Sequence, residues 1–310
     1  MLEPAVIALR LVQYTGAMIL FGSSLFLIYG LPSSGPASAA DLQWPRRALA
    51  RSAGALAIAS LLGMLAQTSI LAGSITEGFK PASLSAVITT MALGPSSLVR
   101  AGAAAIALAL LTFCRPGRGL WIACALLGAI ACGSFAWMGH GAATNGPAGL
   151  LHLLADILHL LAAAIWIGAL AMFLGLLSAK GAHRDGADRA LHRALQGFSG
   201  LGSAIVATLV LTGVVNSWFL VGPSRLSGLW TTLYGQLLSI KLFLFAAMVV
   251  LAAINRFRST PALGRALDRR VTPTIELAAL RRSVLLETAA AMVVLFLVAW
   301  LGALEPISAL

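Results

Sequence analysis

Charge is what this sequence has least of. Only 10% of its 310 residues are Asp, Glu, Lys or Arg, against about 25% in an ordinary soluble domain. A core of this size would then have no wettable surface, which excludes a soluble enzyme. The 59% hydrophobic content excludes a disordered chain. Acidic residues are the scarcer sign, 10 against 21 Lys and Arg. Cysteine is scarce too. Cys114, Cys124 and Cys132 are an odd number, two of them in one apolar run, so no disulfide framework can be drawn; they read as small apolar packers. Signature motifs are missing as well. Without GxxxxGK[ST] nothing marks an ATP-driven machine, and without CxxC a P-type metal pump lacks its binding motif. Without HExxH or GxSxG an intramembrane hydrolase has no signature.

What is present is long apolar runs. The mean hydropathy is +0.94, and eight segments can be drawn, at about 4–30, 48–72, 96–113, 119–138, 149–178, 198–220, 235–255 and 282–304. Nearly all can cross about 30 Å of hydrocarbon at 1.5 Å per residue, the third only marginally. The run Pro81–Leu93 before it reads as a short interfacial helix. The first segment is followed by Ala37-Ser38-Ala39, which resembles a signal-peptide cleavage site. Its apolar stretch is too long for one, it contains Arg10, and no basic n-region precedes it, so it reads as a span. The expectation is an all-α polytopic membrane protein: one transmembrane domain over residues 1–310, a bundle of about eight helices.

The net charge of +11 would suggest nucleic acid in a soluble protein. Here the basic residues fall between apolar runs, where they set orientation. Sixteen of 21 lie beside the loops joining segments 1–2, 3–4, 5–6 and 7–8, with Lys80, Arg100 and Arg225 in or beside the opposite loops. The positive-inside rule puts the basic loops in the cytoplasm and both termini in the periplasm. Trp44 and Trp121 then fall at cytoplasmic ends, and Trp137, Trp218, Trp230 and Trp300 at outer ends, as an interfacial aromatic belt requires. Trp166 is mid-span.

Ionisable groups in hydrocarbon mark a pathway, a site or a paired lock. Four stand out: Arg10, Asp156, Lys241 and Glu287. Glu287 lies about 7 Å inside the cytoplasmic boundary, and the other three about 9–11 Å in from the outer face. At that common depth Asp156 is expected to meet Lys241 or Arg10. The fifth segment is richest in chemistry. His152, Asp156, His159 and Trp166 fall within an arc of about 80° and share one helical stripe. His140 lies in the loop just before it, beside Met138. Imidazole and carboxylate suit Cu(II) or Zn(II), thioether and thiol suit Cu(I). His152 and His159 are about 10.5 Å apart along the axis, so a relay of two sites is easier to build than one. His183 and His192, in the charged loop, read as solvated.

The order of these pieces resembles the CopD/PcoD family of bacterial copper-resistance inner-membrane proteins. The matching pieces are Gly139-His140, His159-Leu160-Leu161 leading to Trp166-Ile167-Gly168, Thr212-Gly213, and Tyr234-Gly235 through Leu238 to Lys241. Asn255-Arg256-Phe257 with Pro261 follow, then Leu280-Arg281-Arg282-Ser283-Val284 with Glu287, and Leu301-Gly302 with Pro306. Arg10, Gly22, Gly94 and Arg100 also fit. The sequence departs from the family at Ala169, where the pattern has a second glycine. The resemblance implies movement of copper from the periplasm toward the cytoplasm, with a separate periplasmic carrier of the CopC type.

The first functional reading is therefore a copper-handling membrane protein, with a metal site drawn from His140, His152, His159, Asp156 and Met138. Arg10, Trp166, Lys241 and Glu287 are its structural or pathway polar groups, and nothing marks catalysis. A second reading is a haem b electron-transfer protein, in which His159 and a histidine of another helix ligate the iron. A third is a non-transporting assembly or sensing partner.

Overall fold

A computed structural model describes residues 2–31, 43–138, 147–178, 184–269 and 272–309. Every regular element among them is a helix: α1 Glu3–Tyr29, α2 Gln43–Leu71, α3 Ile75–Gly78, α4 Pro81–Thr90, α5 Leu93–Phe113, α6 Arg118–Gly133, α7 Pro147–Ser178, α8 Arg184–Leu220, α9 Gly228–Thr231, α10 Leu233–Ile254, α11 Thr260–Asp268 and α12 Thr274–Leu301. A π-helical turn, Asn255–Ser259, joins α10 to α11. Eight helices are long and apolar enough to cross a membrane: α1, α2, α5, α6, α7, α8, α10 with its extension, and α12. The chain is a multi-pass helical membrane protein. The short helix expected before the third span is α4.

The boundaries differ most at α8 and α12, which start 14 and eight residues before their apolar segments. Residues 184–197 are rich in Ala, Leu and Arg, all strong helix formers, so the helix runs on past the hydrocarbon where a hydropathy reading stops.

The bundle is organised around α1, which packs against α2, α6, α7 and α12. The most apolar window of α1 is 56% buried, that of α8 or α10 only 17%, so α1 is central and the other two face lipid. Close approach at the centre depends on glycine. A Cβ at Gly22 would lie 1.9 Å from the Ala164 carbonyl oxygen, and one at Gly168 would lie 2.2 Å from the Gly22 carbonyl carbon. Here α1 and α7 cross backbone against backbone, the small-residue packing that membrane helices use. Ser23 Oγ ties the crossing by donating to the Gly168 carbonyl at 3.1 Å. Ala169, the departure from the family pattern, is fully buried beside it.

Polar side chains settle the helix ends. Arg46 donates to the carbonyls of Leu111, Thr112 and Cys114, groups that the end of α5 leaves unpaired. Of the tryptophans expected in an interfacial belt, Trp300 is half-buried against Phe296. Trp137, Trp218 and Trp230 are exposed, but Trp121 is buried in the core. Trp44 lies against Gly175 of α7. These two rings fill space between helices, which apolar character alone cannot distinguish from facing lipid.

Candidate metal and polar site

The α7 stripe is answered by a ladder on α8. His152 stacks on Phe219, with ring centroids 4.5 Å apart and planes 9° from parallel. Asp156 Oδ1 accepts from Asn216 Nδ2 at 3.5 Å. His159 Nδ1 meets Thr212 Oγ1 at 2.9 Å. Thr212, Asn216 and Phe219 follow i, i+4, i+7 spacing and so share one face of α8. That spacing was the available signal for Asn216, which the sequence reading passed over because asparagine is not ionisable.

The His159 contact fixes a tautomer. The single hydroxyl proton of Thr212 goes to the Thr208 carbonyl at 2.6 Å. The 2.9 Å contact is then made by an Nδ1–H donating to Oγ1, which leaves Nε2 carrying the lone pair. A ring nitrogen held by a donor bond on the other side is how metal-binding imidazoles are oriented. Asn216 Oδ1 is buried without a hydrogen-bond partner. Nε2 of His159, the Asp156 carboxylate and Asn216 Oδ1 are thus three potential donors carried by the facing helices α7 and α8.

Asp156 does not form the expected ion pair. No basic nitrogen lies within 4.0 Å of it among the described residues. Lys241 is within electrostatic reach of both Asp156 and His159 without touching either. The reason is geometric: the face of α7 bearing Asp156 is covered by α8, which offers an amide. Arg10 reaches the far end of α12 instead, where a Cβ on Gly302 would come within 2.9 Å of its Nη1.

Met138 is committed elsewhere. Its sulfur accepts from Arg100 Nη2 at 2.9 Å, which sets a cation where a metal ligand was expected. Arg100 is fully buried in α5, not beside a loop. It donates through Nε to Ser134 at 3.1 Å and through Nη1 to Gln13 at 2.7 Å, and lies 3.8 Å over the Phe135 ring. An arginine eight residues into a helix looks like a flanking charge in the sequence; only the packing shows it is enclosed. His140, with its loop, lies outside the described residues.

Among the described residues no three of His, Cys, Asp and Glu gather as a metal cage. Cys124 and Cys132 are buried and unbridged, as apolar packers would be. His192 is half-buried. It abuts Gly264 of α11 and lines a cavity of about 570 Å³ with Arg189, Arg193 and Asp268.

The stripe ends on α12. Trp166 Nε1 donates to Glu287 Oε1 at 2.6 Å, and Asn255 Nδ2 donates to Glu287 Oε2 at 3.3 Å. All three side chains are buried.

Residues 1–150 match the family model described as copper resistance protein D-like, N-terminal domain, and residues 192–301 match that of copper resistance protein D. A copper resistance protein D of Pseudomonas syringae pv. tomato is 36% identical over 311 residues, covering 98% of this chain and 97% of that protein. The chain belongs to the copper resistance protein D family. No solved structure matches it. Of the pieces that carried the resemblance, Gly22 and Gly168 form the α1–α7 crossing, Thr212 orients His159, Gly302 makes room for Arg10, and Asn255 with Glu287 closes the stripe. These pieces of the family's pattern fall on helix contacts and on the polar line along α7.

Proposed function

We propose that this member of the copper resistance protein D family carries copper ions across the bacterial inner membrane from periplasm to cytoplasm, along the seam between α7 and α8. The observation that carries this reading is the His159–Thr212–Thr208 chain, which leaves Nε2 of a membrane-embedded imidazole free to bind a metal. The cargo site is His159 Nε2 with Asp156 and the unpartnered Asn216 Oδ1. The mixed nitrogen and oxygen donor set suits a divalent copper ion. Three donors with no closed cage suit an ion that has to leave again.

The positive-inside rule supports the direction, setting the Asp156 end of the stripe toward the periplasm, with both termini on that side. His152 then stands on the approach to the site. A separate CopC-like carrier is the natural periplasmic donor. The test is copper stoichiometry and vesicle uptake for wild type and His159→Ala. The variant should fold and take up no copper. Wild-type binding and uptake in His152→Ala/His159→Ala would remove the stripe from the mechanism.

A further inference from the structure

The polar line continues past the copper site to a carboxyl that copper binding does not explain. Glu287 is 3% exposed on α12. Its contacts are two neutral donors, Trp166 Nε1 and Asn255 Nδ2. Among the described residues no charged side chain pairs with it: neither Arg10 of α1, Asp156 or His159 of α7, nor Lys241 of α10. Arg256, in the π turn, donates instead to Ser203. Arg281 and Arg282, on its own helix, are exposed. An unpaired carboxylate in hydrocarbon is expensive and calls for a positive partner.

Two further atoms point to the same place. Asn255, 8% exposed, presents an Oδ1 with no hydrogen-bond partner. Ser283 Oγ, one turn before Glu287 on α12, is also buried and unpartnered. A hard metal ion takes about six oxygens, and the two carboxylate oxygens with Asn255 Oδ1 and Ser283 Oγ make only four. A proton needs one. With Glu287 ionised, Asn255 donates through Nδ2 to Oε2, the arrangement seen. With Glu287 protonated, the amide turned over about its last torsion accepts the new O–H on Oδ1. One side chain thus serves both protonation states, and it stands at the start of a π-helical turn, a distortion frequent at functional sites.

We propose that Glu287 is a proton-binding site whose occupancy is coupled to copper passage, with Asn255 the positioning residue that serves both states. The carboxylate takes a proton from hydronium at the basic-loop end, about 7 Å away along α12. A carboxylic acid and a water molecule result, and release is the reverse. Trp166 is the link to the cargo. It shares the α7 stripe with His159, and its bond to Glu287 is stronger when the acceptor is charged. The coupling rests on the copper reading above; the proton site does not.

The test uses the purified full-length protein in lipid vesicles, comparing wild type, Glu287→Gln and Asn255→Ala. Infrared spectra between roughly pH 5 and pH 9 follow the protonated-carboxyl band. The wild type should show a titrating band that Glu287→Gln lacks and whose midpoint Asn255→Ala moves. No such band, or one unmoved in Asn255→Ala, overturns the site and the role of the amide. Copper uptake is then measured under an imposed pH gradient. For one proton per copper, a one-unit gradient shifts the steady copper ratio about tenfold in wild type. Glu287→Gln, which keeps the shape of the protonated acid, should not respond. An equal response in both overturns the coupling. A titrating band in a wild type that moves no copper overturns the copper reading and upholds the proton site.

Discussion

Thr212 on α8 holds His159 on α7 in one tautomer: its hydroxyl gives its proton to the Thr208 carbonyl at 2.6 Å and accepts from Nδ1 at 2.9 Å. The nitrogen that the proposed copper site uses is therefore set up by a residue that supplies no ligand itself.

Thr212→Val removes that acceptor and keeps the side-chain shape. Copper affinity should fall about 10–100-fold, the usual effect of losing a group that orients a metal ligand. Thr212→Ser should restore it, since the hydroxyl returns. Isothermal titration of the purified protein checks both; an unchanged affinity in Thr212→Val would mean that His159 is oriented by something else.

Trp166→Phe keeps an aromatic ring against Phe245 and removes the one N–H that Glu287 Oε1 accepts from at 2.6 Å. The loss should destabilise the folded protein by about 1–3 kcal/mol, the range for a hydrogen bond to an ionisable group. Combined with Glu287→Ala the two changes should not add, because each removes the same contact. Unfolding in detergent, followed by circular dichroism, gives the four stabilities that the comparison needs.

Much of this fold is legible in hydropathy. Span number depends only on apolar length, and α1, α5 and α7 begin and end within about three residues of their segments. The α7 stripe is legible for the same kind of reason: ionisable groups at helical spacing stand out against leucine and alanine. Its partners do not. Asn216, Thr212 and Asn255 are neutral, and their roles depend on which face of α8 turns toward α7 and which side of the π turn meets α12. Arg100 shows the converse error. Its charge is visible, but its burial follows from α1, α6 and the turn after α6 closing over it, which no local window contains. The ion pair expected of Asp156 rested on matched depth, and depth says nothing of direction around the helix axis.

Arg100→Ala should cost about 3 kcal/mol or more, from the volume lost in the core and from Gln13 Oε1 left without its donor. Arg100→Lys should recover only part of this. A single ammonium cannot serve Gln13, Ser134 and Met138 in one plane while lying over the Phe135 ring, as the guanidinium does. Thermal stability of the three proteins in one detergent checks the order.

Orientation is open to a direct check. With the basic loops in the cytoplasm, reporter fusions after Pro116 and after Gly186 should behave as cytoplasmic, and a fusion after Gly73 as periplasmic. A periplasmic signal at Pro116 or Gly186 would invert the bundle and bring copper to Glu287 before His159.

Two glycines should separate folding from cargo binding. At Gly22 any Cβ meets the Ala164 carbonyl at 1.9 Å, a backbone atom that cannot yield without moving α7. Gly22→Val should therefore lower stability or block assembly, at a cost of about 1–3 kcal/mol or more for forced overpacking. At Gly213 the nearest atom to an added Cβ is Cε1 of His159 at 3.7 Å, an ordinary contact. Gly213→Val should fold as wild type, because the position lies on the half-buried side of α8. Its branched side chain crowds the imidazole edge between Nδ1 and Nε2, so copper binding should weaken while thermal stability holds. Stability and copper affinity measured on both variants give the contrast. A Gly213→Val protein that binds copper like wild type would show that the cargo approaches His159 from another side.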